Sequence, residues 1–224
     1  MGKNAMMDND SWLNVGLSHL FDILLLGIIT TALCIPVVTA GPAITANFDV
    51  MFRISLKKES SVFKQYFIAF KKNFLKSLVI WLIMLVLGAF IIFSAVVSLG
   101  GFVSMDQPVR IGMIIVSIIL ALIYGFEITY VFALQARYEN KIMTTILNAL
   151  LVSIGNFPKS FGMLLMTGVL VALGCFIWGL IPLFFILEFS FVTFFSSKIL
   201  LSIFAKMGDD EAAGKDQTAQ SEEE

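Results

Sequence analysis

Three carboxylates sit inside apolar sequence: Asp22, Glu127 and Glu188. An ionisable group at the centre of a hydrocarbon layer costs about 2.5–3.5 kcal/mol on insertion scales. Each is therefore a candidate intramembrane site for a cation, a proton or a polar solute. Glu127 is flanked by Tyr124 and Tyr130, and Asp22 follows the only histidine, His19, by one helical turn. A structural alternative stands beside each. Asp22 and Glu188 can reach the headgroups, and Glu127 can be protonated or paired with a tyrosine hydroxyl. Catalysis is not expected. There is no Ser/His/Asp set, no His-Glu-x-x-His and no glycine-rich phosphate loop, and a lone His19–Asp22 pair is a thin basis for acid–base work. Cys34 and Cys175 both lie in apolar segments and read as small buried hydrophobes. No metal and no cofactor is expected.

The elements that must position these groups follow from composition. The 224 residues are 58% apolar and only 14% charged, far from the balance of a soluble domain, and the mean hydropathy is +0.93. A helix crosses the hydrocarbon layer with about 20 apolar residues. Such runs predict an all-α membrane protein with five transmembrane helices, over about 18–38, 75–98, 111–134, 160–180 and 183–205. Pro36 and Ala40-Gly41-Pro42 end the first, and Gly179 and Pro182 offer the turn between the last two. The first span reads as a retained helix, since no small-x-small cleavage site follows it.

Thirteen basic residues fall on one side, in the loop between spans one and two with Lys76 at its border, in the loop between three and four, and on the C-terminal side with Lys198, Lys206 and Lys215; only Lys3 and Arg110 fall on the other side. The positive-inside rule then gives N-out/C-in, with Trp12 and Trp178 near the outer interface and Trp81 toward the inner one. Residues 1–206 form the transmembrane domain, and 207–224 are a disordered acidic tail by composition, with seven acids against Lys215. No basic face extends beyond short loops, so nucleic acid is excluded as a partner; the lipid bilayer is the partner expected.

The loops on the basic side have helical patterning. Ile44, Phe48, Met51 and Phe52 share one face, and Lys57-Lys58-Glu59-Ser60-Ser61 is a polar break. Phe63, Phe67, Phe70 and Phe74 recur beyond it with Lys64, Lys71 and Lys72 off the stripe. In the second loop the stripe is Met143, Ile146, Leu147, Leu150 and Ile154. Both loops predict amphipathic cytoplasmic helices on the membrane surface, although the phenylalanine stripe also suits docking against a partner subunit. Asn73-Phe74-Leu75-Lys76-Ser77 and Asn156-Phe157-Pro158-Lys159-Ser160 introduce spans two and four, 83 residues apart, with Arg53 and Arg137 preceding them by 20 and 19 residues. This is a weak parallel two-span repeat. Such repeats occur in transporters, where sites form at the repeat interface, and also in bundles that duplication merely enlarged.

Cys34-Ile35-Pro36-Val37-Val38-Thr39-Ala40-Gly41-Pro42-Ala43, followed by Phe63 through Ser77, resembles the YesL family of small bacterial integral membrane proteins of unassigned biochemical function. The family-like motif residues are Pro36, Thr39, Gly41, Pro42, Asn73 and Phe74, and Ala136-Arg137-Tyr138-Glu139-Asn140 echoes a further family pattern. Family members often carry an Asn and an aromatic residue in the first helix, where this chain has Gly27 and Thr30. The resemblance implies a multi-pass protein of the bacterial cytoplasmic membrane. It also implies a transport-associated role in carbohydrate uptake, as an accessory component or small carrier, with a sugar ABC transporter or other membrane subunit as partner. The alternative is a structural or regulatory membrane scaffold with no solute pathway.

Overall fold

The computed structural model describes the backbone of residues 3–56, 61–100, 106–176 and 181–222, and the side chains within these from residue 17 to residue 208, residue 175 excepted. The polar break at 57–60, the turn at 177–180 with Trp178 and Gly179, and the side chains of Trp12, Cys175 and the acidic tail lie outside the described residues. The described chain is helical without strands: α1 (Lys3–Cys34), a 3-10 turn (Val37–Thr39), α2 (Ala40–Ser55), α3 (Val62–Gly100), α4 (Gln107–Arg137), α5 (Ile142–Gly155), α6 (Phe157–Phe176), α7 (Ile181–Leu187), a π-helical turn (Glu188–Val192) and α8 (Thr193–Glu222). Among the described residues, five helical segments are long and apolar enough to cross a membrane: Leu17–Cys34, Val62–Gly100, Gln107–Arg137, Phe157–Gly174 and Ile181–Gly208.

The first departure from expectation is the end of span one, at Cys34 rather than near Val38. Pro36 pushes the residue before it out of the helical region, and the Ile35 N–H closes on the Ala32 carbonyl in a tighter turn. The second is larger. α2 is not a surface helix, because it packs against α1, α3, α4 and α8 and eleven of its residues are buried. Ala40, Gly41, Ala43 and Ala46 explain this. Small side chains let neighbouring backbones approach, which is how helices associate where lipid removes the hydrophobic incentive.

The third concerns α3. The phenylalanine segment and span two are one helix of 39 residues, about 58 Å long at 1.5 Å per residue. In the second loop the chain does break, between α5 and α6. Pro158 lacks the N–H that would continue a helix across that point, whereas Leu75 stands at the matching place in α3. Asn73 and Asn156 nonetheless make the same local bond, each side-chain amide donating to the carbonyl four residues back, at 3.3 and 3.2 Å.

Facing is the fourth. In α5 the buried side chains are Thr145, Ala149, Val152 and Ser153, while Met143, Leu147 and Ile154 from the expected stripe point away from the protein. In α3 the inward face is Val62, Tyr66, Ala69, Asn73, Ser77, Ile80 and Met84, with the phenylalanines flanking it. Small and polar side chains pack inward, and large apolar ones are left on the face that lipid would cover. α8 is drawn as helix to Glu222. Glu211, Ala212, Ala213, Lys215 and Gln217 are good helix formers.

One end of the bundle gathers the basic loops. Lys72 Nζ pairs with Glu139 at 2.6 Å, Lys76 Nζ donates to the Asn140 carbonyl and Lys159 Nζ donates to Ser202 on α8. The core beneath holds Phe48, Phe52, Ile80, Met84, Tyr130, Leu134, Leu200 and Phe204.

Candidate functional site

A group of polar side chains inside the bundle gathers around the π-helical turn that interrupts span five. A π turn widens the helix and marks functional positions more often than chance. Here the Phe189 carbonyl within the turn accepts a hydrogen bond from Asn47 Nδ2 on α2, at 2.8 Å. The Glu188 carbonyl accepts the Thr193 hydroxyl at 3.1 Å. α1 crosses the same turn at Gly27. A Cβ there would stand 2.6 Å from the Ile186 carbonyl and overlap the Ser190 hydroxyl, so only glycine permits the approach. The Ser190 hydroxyl and Asn47 Oδ1 are buried without a hydrogen-bond partner among the described residues.

Glu188 stands at the edge of this turn. Oε1 accepts from Thr167 on α6 at 2.8 Å, and Oε2 is buried with no partner among the described residues. The carboxyl lines a pocket of about 250 Å³ whose other walls are apolar, including Leu170, Gly174, Ile181, Phe184 and Phe185. The arrangement offers one hydrogen-bonding carboxyl to an otherwise oily cavity.

Glu127 is 8% exposed and makes no hydrogen bond or ion pair to any described residue. The two tyrosines beside it are engaged elsewhere: Tyr124 donates to the Met84 carbonyl on α3 at 3.1 Å, and Tyr130 shares a 2.8 Å bond with Ser160 on α6. Pairing of Glu127 with a tyrosine hydroxyl, one of the two expectations, is thus not what the structure shows. Asp22 is partly buried on α1, and His19 is exposed. The three carboxylates are not brought together by any described contact, and no group of three His, Cys, Asp or Glu able to hold a metal occurs among the described residues.

The motif residues carry a corner. Thr39 Oγ1 donates to the Leu33 and Pro36 carbonyls at 2.6 and 2.9 Å, closing the end of α1 left open by Pro36. Trp81 Nε1 donates to the Val37 carbonyl at 2.6 Å. Gly41 lets α2 lie on α3, since a Cβ would come within 2.7 Å of the Ser77 carbonyl. Pro42 sits buried in the first turn of α2. Asn73 Oδ1 faces Gln135 Nε2 of α4 at 3.5 Å, and Phe74 packs on Phe70. This set fixes the α1–α2 turn and seats α2 and α4 on α3.

Two groupings escape the sequence. Asn47 and Ser190 signal nothing by spacing, and a π turn has no sequence signature. Arg53 and Arg137, noticed only for their repeat-like positions, line one polar pocket of about 330 Å³ with Asp49, Phe52, Leu56, Ala136 and Tyr138.

Residues 21–95 match the family model described as a protein of unknown function, DUF624. That stretch runs from within α1 through α2 to most of α3, and so contains the corner motif and the helix it rests on. No curated protein matches the chain, and no solved structure does. By its matching segment and its five apolar helical segments, the chain is similar to a family without an assigned activity and has the build of a membrane protein.

Proposed function

We propose that the chain is an accessory component of solute uptake in the bacterial cytoplasmic membrane, serving carbohydrate-type solutes by associating laterally with a transporter subunit. The observation that carries the accessory part is the facing of the helices. Large apolar side chains such as Phe90, Phe93, Ile115, Phe161 and Leu165 stand exposed along the spans, while the interior at Phe48, Met84, Tyr130 and Leu200 is packed. A surface of this kind serves lipid or another membrane helix, and a filled interior gives a polar solute little room. The carbohydrate part rests on the resemblance alone.

A small carrier is the second reading, favoured by the unpaired carboxyl of Glu127. The two separate in one experiment. Sugar uptake is measured in cells lacking the protein, then in cells supplied with wild type or with Glu127→Gln, and the tagged protein is isolated in mild detergent to look for a transporter subunit. Loss of uptake restored by both forms, with a permease co-isolated, fits the accessory role. Restoration by wild type alone, with the protein isolated by itself, fits the carrier. Uptake that ignores the deletion overturns both and leaves the scaffold.

A further inference from the structure

The pocket that joins Arg53 to Arg137 has no part in the reading above. Arg53 lies in the last turn of α2 and Arg137 in the last turn of α4, so two arginines far apart in sequence, one partly buried and one exposed, line one open pocket. Asp49, one turn before Arg53, bonds only its Nε, at 2.8 Å. The terminal nitrogens of Arg53 keep their donors, and Arg137 makes no hydrogen bond or ion pair to any described residue. Neither arginine donates to a described helix-terminal carbonyl, which is the ordinary structural use of a cation at a helix C-terminus. The ring of Tyr138 packs edge-on against Phe204, and its hydroxyl has no described hydrogen-bond partner. Phe52 is buried at the floor and Leu56 is exposed at the edge.

We propose that this pocket binds a phosphoryl group, held by the Arg53 and Arg137 guanidinium groups. Guanidinium presents planar, paired donors that match phosphate oxygens, and two such groups on different helices suit a tetrahedral anion better than a flat carboxylate that one of them would satisfy. Asp49 fixes the orientation of Arg53 and leaves a net charge of +1 on the three side chains. The C-terminal ends of α2 and α4 lower the local potential, so binding depends on direct hydrogen bonds rather than on long-range attraction. A lipid headgroup and free phosphate both present this chemistry, and Phe52 and Leu56 give an attached apolar portion a wall.

The test uses the full chain purified in neutral detergent. Inorganic phosphate binding is measured by calorimetry, and retention of phosphatidylglycerol against phosphatidylcholine by native mass spectrometry. Thermal unfolding of every variant checks the fold. Retention of phosphatidylglycerol assigns the site to a headgroup, and phosphate binding assigns it to the free anion. Arg137→Gln weakens whichever binds by about tenfold or more, as loss of a charged hydrogen bond does. Arg53→Lys, which keeps a charge beside Asp49 but loses the paired donors, weakens it also. The double variant Lys64→Gln/Lys71→Gln, on exposed lysines elsewhere on α3, leaves it unchanged. The proposal fails if the wild type binds neither probe, if binding survives both arginine variants, or if the lysine variant weakens it equally.

Discussion

At the scale of single residues, two carboxyls are handled differently. Glu188 has one oxygen held by Thr167, and Glu127 has neither oxygen held. Glu188 Oε2 is buried with no partner among the described residues, and an unsatisfied buried polar group costs about 1–3 kcal/mol, so the double variant Glu188→Leu/Thr167→Val is expected to raise stability by about that much, read as a higher midpoint of thermal unfolding in detergent. A fall in the midpoint would mean that the carboxyl has a structural partner. Thr167→Val removes one hydrogen bond within the bundle, worth about 0.6 kcal/mol on average in such settings, and is expected to lower the midpoint slightly. Glu127 was legible in the sequence because one charge in a long apolar run is conspicuous. Asn47 and Ser190 were not, since neutral polar residues are common in spans and acquire meaning only from the neighbour that the fold supplies.

Elements were legible in number and placement but not in facing. Hydropathy locates spans because each must be apolar along its length. It cannot say which side looks inward, because lipid and protein interior are alike oily. α5 shows the consequence: its apolar stripe is real, and it turns outward while Thr145 and Ser153 turn in. α2 shows the converse, since its small residues rather than its phenylalanines bring the neighbouring helices close. The crossing of α1 over the π turn gives the sharpest test. Gly27→Ala places a methyl group against the Ile186 carbonyl and the Ser190 side chain, and overpacking of this kind costs about 1–3 kcal/mol. Gly112→Ala, on α4 with nothing within 4 Å of the added atom, should be neutral or slightly stabilising. Equal effects of the two substitutions in thermal unfolding would show that α1 does not cross there.

For the molecule as a whole, the argument concerns sides. The loops that carry most of the basic residues are tied together by the Lys72–Glu139 pair and by Lys76 on the Asn140 carbonyl, so the segments on either side of spans two and three share one side of any membrane that the bundle crosses. The Lys72 ammonium, through its hydrogen bond first and its charge second, holds the Glu139 carboxyl below the usual carboxylate range. A carboxyl lowered by folding contributes stability above its unfolded value and loses it as pH falls through the folded one. This contribution therefore persists into mild acid and fades only below it, and salt screens it because the pair is exposed. The tie can be checked directly. K72C/E139C is expected to be joined by a bifunctional thiol cross-linker whose reach is about that of a Lys–Glu pair, and K72C paired with a cysteine at Arg110, R110C, is expected not to be. The positive-inside rule predicts that a membrane-impermeant thiol reagent applied to intact cells labels R110C and leaves K72C untouched until the cells are opened. Labelling of K72C in intact cells would reverse the sidedness and move the Arg53–Arg137 pocket to the outer face.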